Sequence, residues 1–200
     1  MRAILCAKPA DPPELVLGDI PVPEPGPGQV RIRVKAAGVN FADTLMVRGT
    51  YQARPPLPFV PGMELAGQID ALGAGVKGFA VHQRVLATVE HGAFAEYALA
   101  RAADCAPLPG AMDDATAACF PIAYGTAHAA LEWRAGLRRG ETLLVLGAAG
   151  GVGLAAIEIG KAMGARVIAA AGGVERGALA LSRGAEVAID YKREDLREAI

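Results

Sequence analysis

The residues best placed to do chemistry are four glycines within seven positions: Gly147, Gly150, Gly151 and Gly153. They follow a continuous apolar run at 142–146 and lead into a segment at 152–163 that reads as a helix. Glycine is common in turns, so the pattern alone says little. Between a buried strand and a helix it acquires a mechanism. The bare backbone turns tightly, a pyrophosphate comes close, and the free N–H groups and positive dipole end at the helix start favour an anion. The last glycine lets helix and strand pack closely. The plainer alternative is a tight connection with no ligand, and four glycines in seven residues argue against it.

The second question is which dinucleotide. An NAD site carries an acid about 20 residues beyond the glycines, at the end of the second strand, to hold the ribose hydroxyls. Here that place reads Ala170-Ala171-Gly172-Gly173. The first acid, Glu175, comes past the turn with Arg176 beside it, and Tyr191 and Lys192 end the third strand nearby. A missing carboxylate next to a cation suits a ribose 2′-phosphate, so NADP(H) is expected over NAD(H). The competing explanation for Arg176 is an ordinary solvated helix charge.

Metal chemistry has little to work with. Cys6, Cys105 and Cys119 are far apart and form no C-x-x-C pair, so they read as small buried hydrophobes. His82, His91 and His128 show neither metal spacing nor an acid partner nearby in sequence.

These groups need a scaffold, and 200 residues at 52% hydrophobic and 20% charged can bury a sizeable core. The 20 basic and 21 acidic residues nearly cancel, with no basic block, which argues against nucleic acid as a partner. No apolar stretch approaches the about 18 residues a membrane span needs. Residues 1–7 lack the length and cleavage site of a signal peptide. A soluble, cytoplasmic protein is expected.

Short strands are expected at 4–7, 30–36, 65–72, 84–88 and 94–99, with a short helix at 42–47. The strict apolar/basic alternation of 30–36 marks a strand with one face in a core. Turn signals between them suggest a small irregular barrel or sandwich. From about Asp113 alanine becomes dense. A helix at 123–134 stopped by Gly136 is expected, then strand 142–146, helix 152–163, strand 166–171, helix 174–182 and strand 187–191. That alternation is a parallel sheet of the nucleotide-binding kind. A doubly wound domain has two such halves and one is present, so the chain reads as incomplete. An uncovered parallel edge is prone to pair with another chain, so self-association is expected.

Three segments carry a family resemblance: Pro61-Gly62-Met63-Glu64-Leu65-Ala66-Gly67, Gly38-Val39-Asn40-Phe41-Ala42-Asp43-Thr44, and the turn at 147–153. Gly92-Ala93-Phe94-Ala95-Glu96-Tyr97 and Tyr124-Gly125-Thr126 fit as well. Together they resemble the medium-chain dehydrogenase/reductases, in the zinc-independent quinone oxidoreductase branch that includes zeta-crystallin. The resemblance implies mixed α and β structure: a GroES-like β-barrel catalytic domain over 1–117, then the first half of a Rossmann-type doubly wound domain over 118–200, with the active site in the cleft between them. It places Asn40, Phe41 and Asp43 beside the nicotinamide end and Thr126 against it. Gly150, Gly151 and Val152 cradle the pyrophosphate, and Gly172, Gly173, Arg176 and Tyr191 surround the 2′-phosphate. Asn40, Asp43 and Tyr51 are the candidate catalytic residues, Tyr51 as a lining of the acceptor pocket or a donor to a quinone oxygen. Turn and helix-cap chemistry competes as the explanation of Asn40 and Asp43.

Zinc-dependent relatives have a Cys where this chain has Asn40 and a His where it has Met63. A carboxamide and a thioether are poor zinc ligands, so no metal is expected. Without a Lewis acid, reduction of an acceptor that is already electrophilic, a quinone or an enone, is favoured over alcohol oxidation. An enone or enoyl-thioester reductase is the nearest alternative, and a non-catalytic NADPH-binding or structural protein is one of another class. By the resemblance the assembly is a homodimer.

Overall fold

The computed structural model describes residues 1–11 and 13–200. The chain forms two compact units, Met1–Ile122 and Ala123–Ile200.

In the first unit, β1 (Arg2–Cys6) pairs antiparallel with β2 (Leu15–Asp19). A five-stranded antiparallel sheet is built from β3 (Gln29–Gly38), β4 (Glu64–Leu72), β5 (Arg84–Thr88), β6 (Tyr97–Arg101) and β7 (Cys105–Pro107), in the order β6-β3-β4-β5-β7. The alternation read from the sequence decides which face is buried. Val30 and Ile32 enter a core with Leu65, Ile69, Val85 and Ala98. Arg31 points the other way and holds Asp70 through two hydrogen bonds of 2.9 and 3.0 Å. Two register shifts between β3 and β4 bend the pair, as bulges do. The short helix α1 (Phe41–Val47) packs Met46 and Val47 against Cys6, Phe59 and Met63. Helix α2 (Asp114–Ala118) lays Ala117 and Ala118 on Ala66.

The second unit holds a parallel sheet of β8 (Thr142–Leu146), β9 (Arg166–Ala171) and β10 (Val187–Asp190), in the order β10-β9-β8. Helix α4 (Gly151–Ala162) connects β8 to β9, and α5 (Val174–Ser182) connects β9 to β10. Central β9 is buried at five of its six positions, as a strand covered on both faces must be.

Several expectations need correction. Strand β2 and the three-residue β7 were not expected, and the strand at 94–99 begins later, at Tyr97. The helix expected at 123–134 is instead α3 (Phe120–His128), running on into a π-helical segment at Ala129–Arg134 and ended near Gly136 at φ +61°. Pro121 fits because a helix's first turn has no use for that N–H. Only Cys6 is buried; Cys105 is half-buried, and Cys119 is exposed where α2 ends. His128 does have an acid partner, Glu132, one turn further along.

Candidate functional site

In the first unit the candidate residues gather where β3 ends and β4 begins. The strands pair Gly38 opposite Glu64, and Asn40 follows two residues later as the N-cap of α1. Asp43, three residues on, accepts the Asn40 backbone N–H through Oδ2 at 2.8 Å, so the acid caps the helix as a reciprocal capping residue does. Asp43 is 3% exposed, and its Oδ1 is buried with no hydrogen-bond partner among the described residues. Burial pushes its carboxyl above the ordinary range, against the pull of the Asn40 and Gly62 backbone N–H groups. The Asn40 carboxamide donates from Nδ2 to Glu64 Oε1 at 2.7 Å. Glu64 is 2% exposed, and its Oε2 accepts the Ile122 N–H at 2.8 Å. Burial also raises the Glu64 carboxyl, with the Asp43 charge adding to the shift.

Phe41 beside this cluster is 75% exposed, an apolar ring with no cover within its unit. Tyr51 follows α1, where its N–H donates to the Leu45 carbonyl at 3.2 Å, and it packs on the cluster of Cys6, Met46, Phe59 and Met63. Asn40, Phe41 and Asp43 are therefore brought together at the start of α1. Glu64 went unnoticed as a candidate. The signal that exposes it is the glycine at the paired position: a Cβ on Gly38 would collide with the Glu64 carboxylate.

In the second unit the glycines divide by what the fold requires of them. Gly147 has φ +62°, which favours glycine. A Cβ on Gly153 would stand 2.5 Å from the Gly147 carbonyl oxygen, so that residue is required for packing. Gly150 and Gly151 answer to neither need. Gly150 is the N-cap of α4 at φ −82°, ψ 166°, which any residue adopts, and its Cβ would meet only one atom, at 3.4 Å. Gly151 has open space around it. Together with Val152 they form the start of a 12-residue helix, whose first N–H groups have no partner inside the helix.

The turn after β9 collects a second group. A Cβ on Gly172 would lie 3.0 Å from both Tyr191 and Lys192, so the missing side chain is what lets those two close over the turn. Gly173, at φ +100°, donates its N–H to Asp190 Oδ1 at 2.8 Å. Asp190 also accepts the Lys192 N–H at 3.1 Å, and these bonds hold its carboxyl below the usual range. This acid escaped the sequence reading. The parallel register pairs Asp190 with Ala171 and so brings it to the end of β9. Arg176 stands exposed on the first turn of α5, with no hydrogen bond or ion pair among the described residues. Thr126 is exposed on α3, whose neighbour Tyr124 donates to Glu158 of α4.

The donor set does not suit zinc. Asn40 is engaged with Glu64, and Met63 is buried among Cys6, Met46, Val47 and Phe59. No group of three His, Cys, Asp or Glu able to hold a metal occurs among the described residues. Burial raises all three thiols, Cys105 to about 11, so none is a ready thiolate. No helix among the described residues is long and apolar enough to cross a membrane.

Residues 26–110 match the alcohol dehydrogenase GroES-like domain, and residues 151–200 match the zinc-binding dehydrogenase domain, which is Rossmann-like. The whole chain is 39% identical to quinone oxidoreductase-like protein 2 of Mus musculus, spanning 57% of that protein. Over 98% of its length it is 41% identical to the quinone oxidoreductase of Lama guanicoe, spanning 60% of it. The quinone oxidoreductase of Thermus thermophilus, solved alone and with NADPH, superposes with a TM-score of 0.85 at 41% identity, over 96% of this chain and 60% of that one. The chain belongs to the medium-chain dehydrogenase/reductase superfamily, in its quinone oxidoreductase branch. It spans about three fifths of the length of these relatives.

Proposed function

We propose that this chain is the cofactor-binding and catalytic part of an NADPH-dependent, zinc-independent oxidoreductase that passes hydride to a quinone-type acceptor. The observation that carries the reading is the pair Gly150 and Gly151. Neither backbone angle nor packing accounts for them, and a pyrophosphate approaching the start of α4 does. The Thermus relative was solved with NADPH, in keeping with the 2′-phosphate reading of Gly172, Gly173, Arg176 and Tyr191. Asp190 fits it too: its Oδ1 is taken up by two backbone N–H groups, and its Oδ2 lies 3.8 Å from Arg193 Nε.

The bound nicotinamide supplies the hydride. This chain's residues bind and orient. Gly150, Gly151 and Val152 receive the pyrophosphate, Arg176 and Tyr191 the 2′-phosphate, and Asn40, Phe41, Asp43 and Thr126 flank the nicotinamide end. Asp43 acts through the α1 cap, and Tyr51 stands with the acceptor pocket. We assign 1–117 to the catalytic domain and 118–200 to the nucleotide-binding domain; the family matches at 26–110 and 151–200 each fall within one of them. The partner class is a small electrophilic acceptor, quinone or enone, for a cytoplasmic homodimer.

The test is a titration with NADPH and NADH followed by nicotinamide fluorescence, with zinc measured on the same sample. Tight NADPH binding, weak NADH binding and no zinc support the reading. Equal binding of both removes Arg176 from the 2′-phosphate, and stoichiometric zinc overturns the mechanism.

A further inference from the structure

Glu64 lies deeper than Asn40 and uses both its oxygens. Oε1 accepts Asn40 Nδ2 at 2.7 Å, and Oε2 accepts the Ile122 N–H at 2.8 Å. An ionised carboxylate only accepts, so the group that faces it must be the NH₂ of the Asn40 amide. The carbonyl oxygen of Asn40 is thereby turned to the other side. Three features hold the arrangement: Glu64 is 2% exposed, Gly38 leaves room for its carboxylate, and Asp43 fixes the Asn40 backbone at 2.8 Å.

We infer that Glu64 is a positioning residue, whose buried carboxylate locks the Asn40 amide so that its carbonyl oxygen is the group offered to the bound nicotinamide. The inference rests on the cofactor reading above. An acceptor matches the carboxamide N–H₂ of nicotinamide and repels a quinone oxygen, so Asn40 orients the cofactor and does not polarise the acceptor. In Glu64→Gln the new side chain has one acceptor and one donor group. With its oxygen on the Ile122 N–H, its NH₂ faces Asn40 and the Asn40 amide reverses.

Asn40 is the only asparagine in the chain, so ¹⁵N-asparagine labelling gives a single side-chain NH₂ signal. The expected spectrum has one Nδ2 proton shifted downfield and slow to exchange, and Glu64→Gln returns it to a free-amide position. NADPH affinity changes less than about threefold, while the single-turnover hydride rate to a quinone falls about tenfold or more, the size of a misorientation effect. Adding Asn40→Asp to Glu64→Gln keeps the pair's charge, again places an oxygen on the outer side, and restores most of the rate. A wild-type chain with a free Asn40 amide, or a Glu64→Gln rate that the double variant does not recover, overturns the role of Glu64. A chain with the shifted amide proton but no affinity for NADPH overturns the cofactor reading and, with it, the target of the carbonyl oxygen.

Discussion

Gly38 and Glu64 face each other across β3 and β4, and the first is a glycine because the second needs its space. A Cβ on Gly38 would meet the Glu64 carboxylate and stand 2.8 Å from the Ala118 carbonyl oxygen. Neither can yield easily: the carboxylate is tied to Asn40 and Ile122, and the carbonyl belongs to the backbone. Gly38→Ala is expected to cost about 2–3 kcal/mol, as overpacking in a filled core does. Urea unfolding monitored by far-UV circular dichroism measures it, and a loss under about 0.5 kcal/mol would show that the pocket relaxes.

The glycine turn of the second unit allows a sharper separation of fold from ligand. Gly153→Ala drives a methyl against the Gly147 carbonyl and Ala148, so it should destabilise by about 1–3 kcal/mol with or without nucleotide. Gly150→Ala meets only one atom, at 3.4 Å, and should leave stability within about 0.5 kcal/mol. Its methyl stands where the proposed pyrophosphate comes in, so NADPH affinity should fall about tenfold or more. Thermal melting and fluorescence titration on both variants give the comparison; equal NADPH affinity in wild type and Gly150→Ala would remove the reason for glycine at that position.

Much of this site was legible in the sequence because its signals are local. The glycines of 147–153 sit between an apolar run and a helix, and Asn40 with Asp43 has the spacing of a helix start. Glu64 and Asp190 were not legible, for one shared reason. Each acts on a residue reached only through strand pairing, Glu64 by lying opposite Gly38 and Asp190 by lying beside Ala171. Composition could not separate them from the chain's other acids. The short edge strand β7 was hidden likewise, since Cys-Ala-Pro has no period to read and pairs only because β5 presents an edge.

Glu64 should leave a mark on the pH dependence of stability. Burial keeps its carboxyl protonated to higher pH in the folded chain than in the unfolded one. Over that interval unfolding releases a proton, so the Glu64 contribution is fully present below the ordinary glutamate pKa and falls as pH rises through the raised one. Asp43 is raised as well and shares the burial, so the two titrate as a pair. Asp113 and Asp190, held low by backbone N–H groups, have the opposite slope, but they are common to wild type and variant. The stability difference, wild type minus Glu64→Gln, is therefore expected to fall as pH rises from the ordinary glutamate pKa through the raised one. Urea midpoints at each pH test it, and a difference that rises with pH would mean that the hydrogen bonds to Glu64 outweigh its burial.

On the reading proposed above, nucleotide choice turns on Arg176 and Tyr191, which stand differently in the structure. Tyr191 is held there, since Gly172 leaves the space it occupies beside Lys192. Arg176 is an exposed charge with no hydrogen bond or ion pair among the described residues, and on the proposed reading it meets the phosphate. A charge-assisted bond to phosphate contributes about 1.5–3 kcal/mol and a neutral hydroxyl bond about 1. Arg176→Glu should thus weaken NADPH by about tenfold to a hundredfold while leaving NADH unchanged or better bound. Tyr191→Phe should weaken NADPH only several-fold. Gly172→Ser adds a hydroxyl at the turn but presses on Tyr191 and Lys192 at 3.0 Å, so the sign of its effect reports whether those side chains can shift. Paired titrations with NADPH and NADH measure all three. An Arg176→Glu chain that loses both nucleotides equally would place that arginine on the pyrophosphate or adenosine common to them, and leave Tyr191 and Lys192 to read the 2′-phosphate.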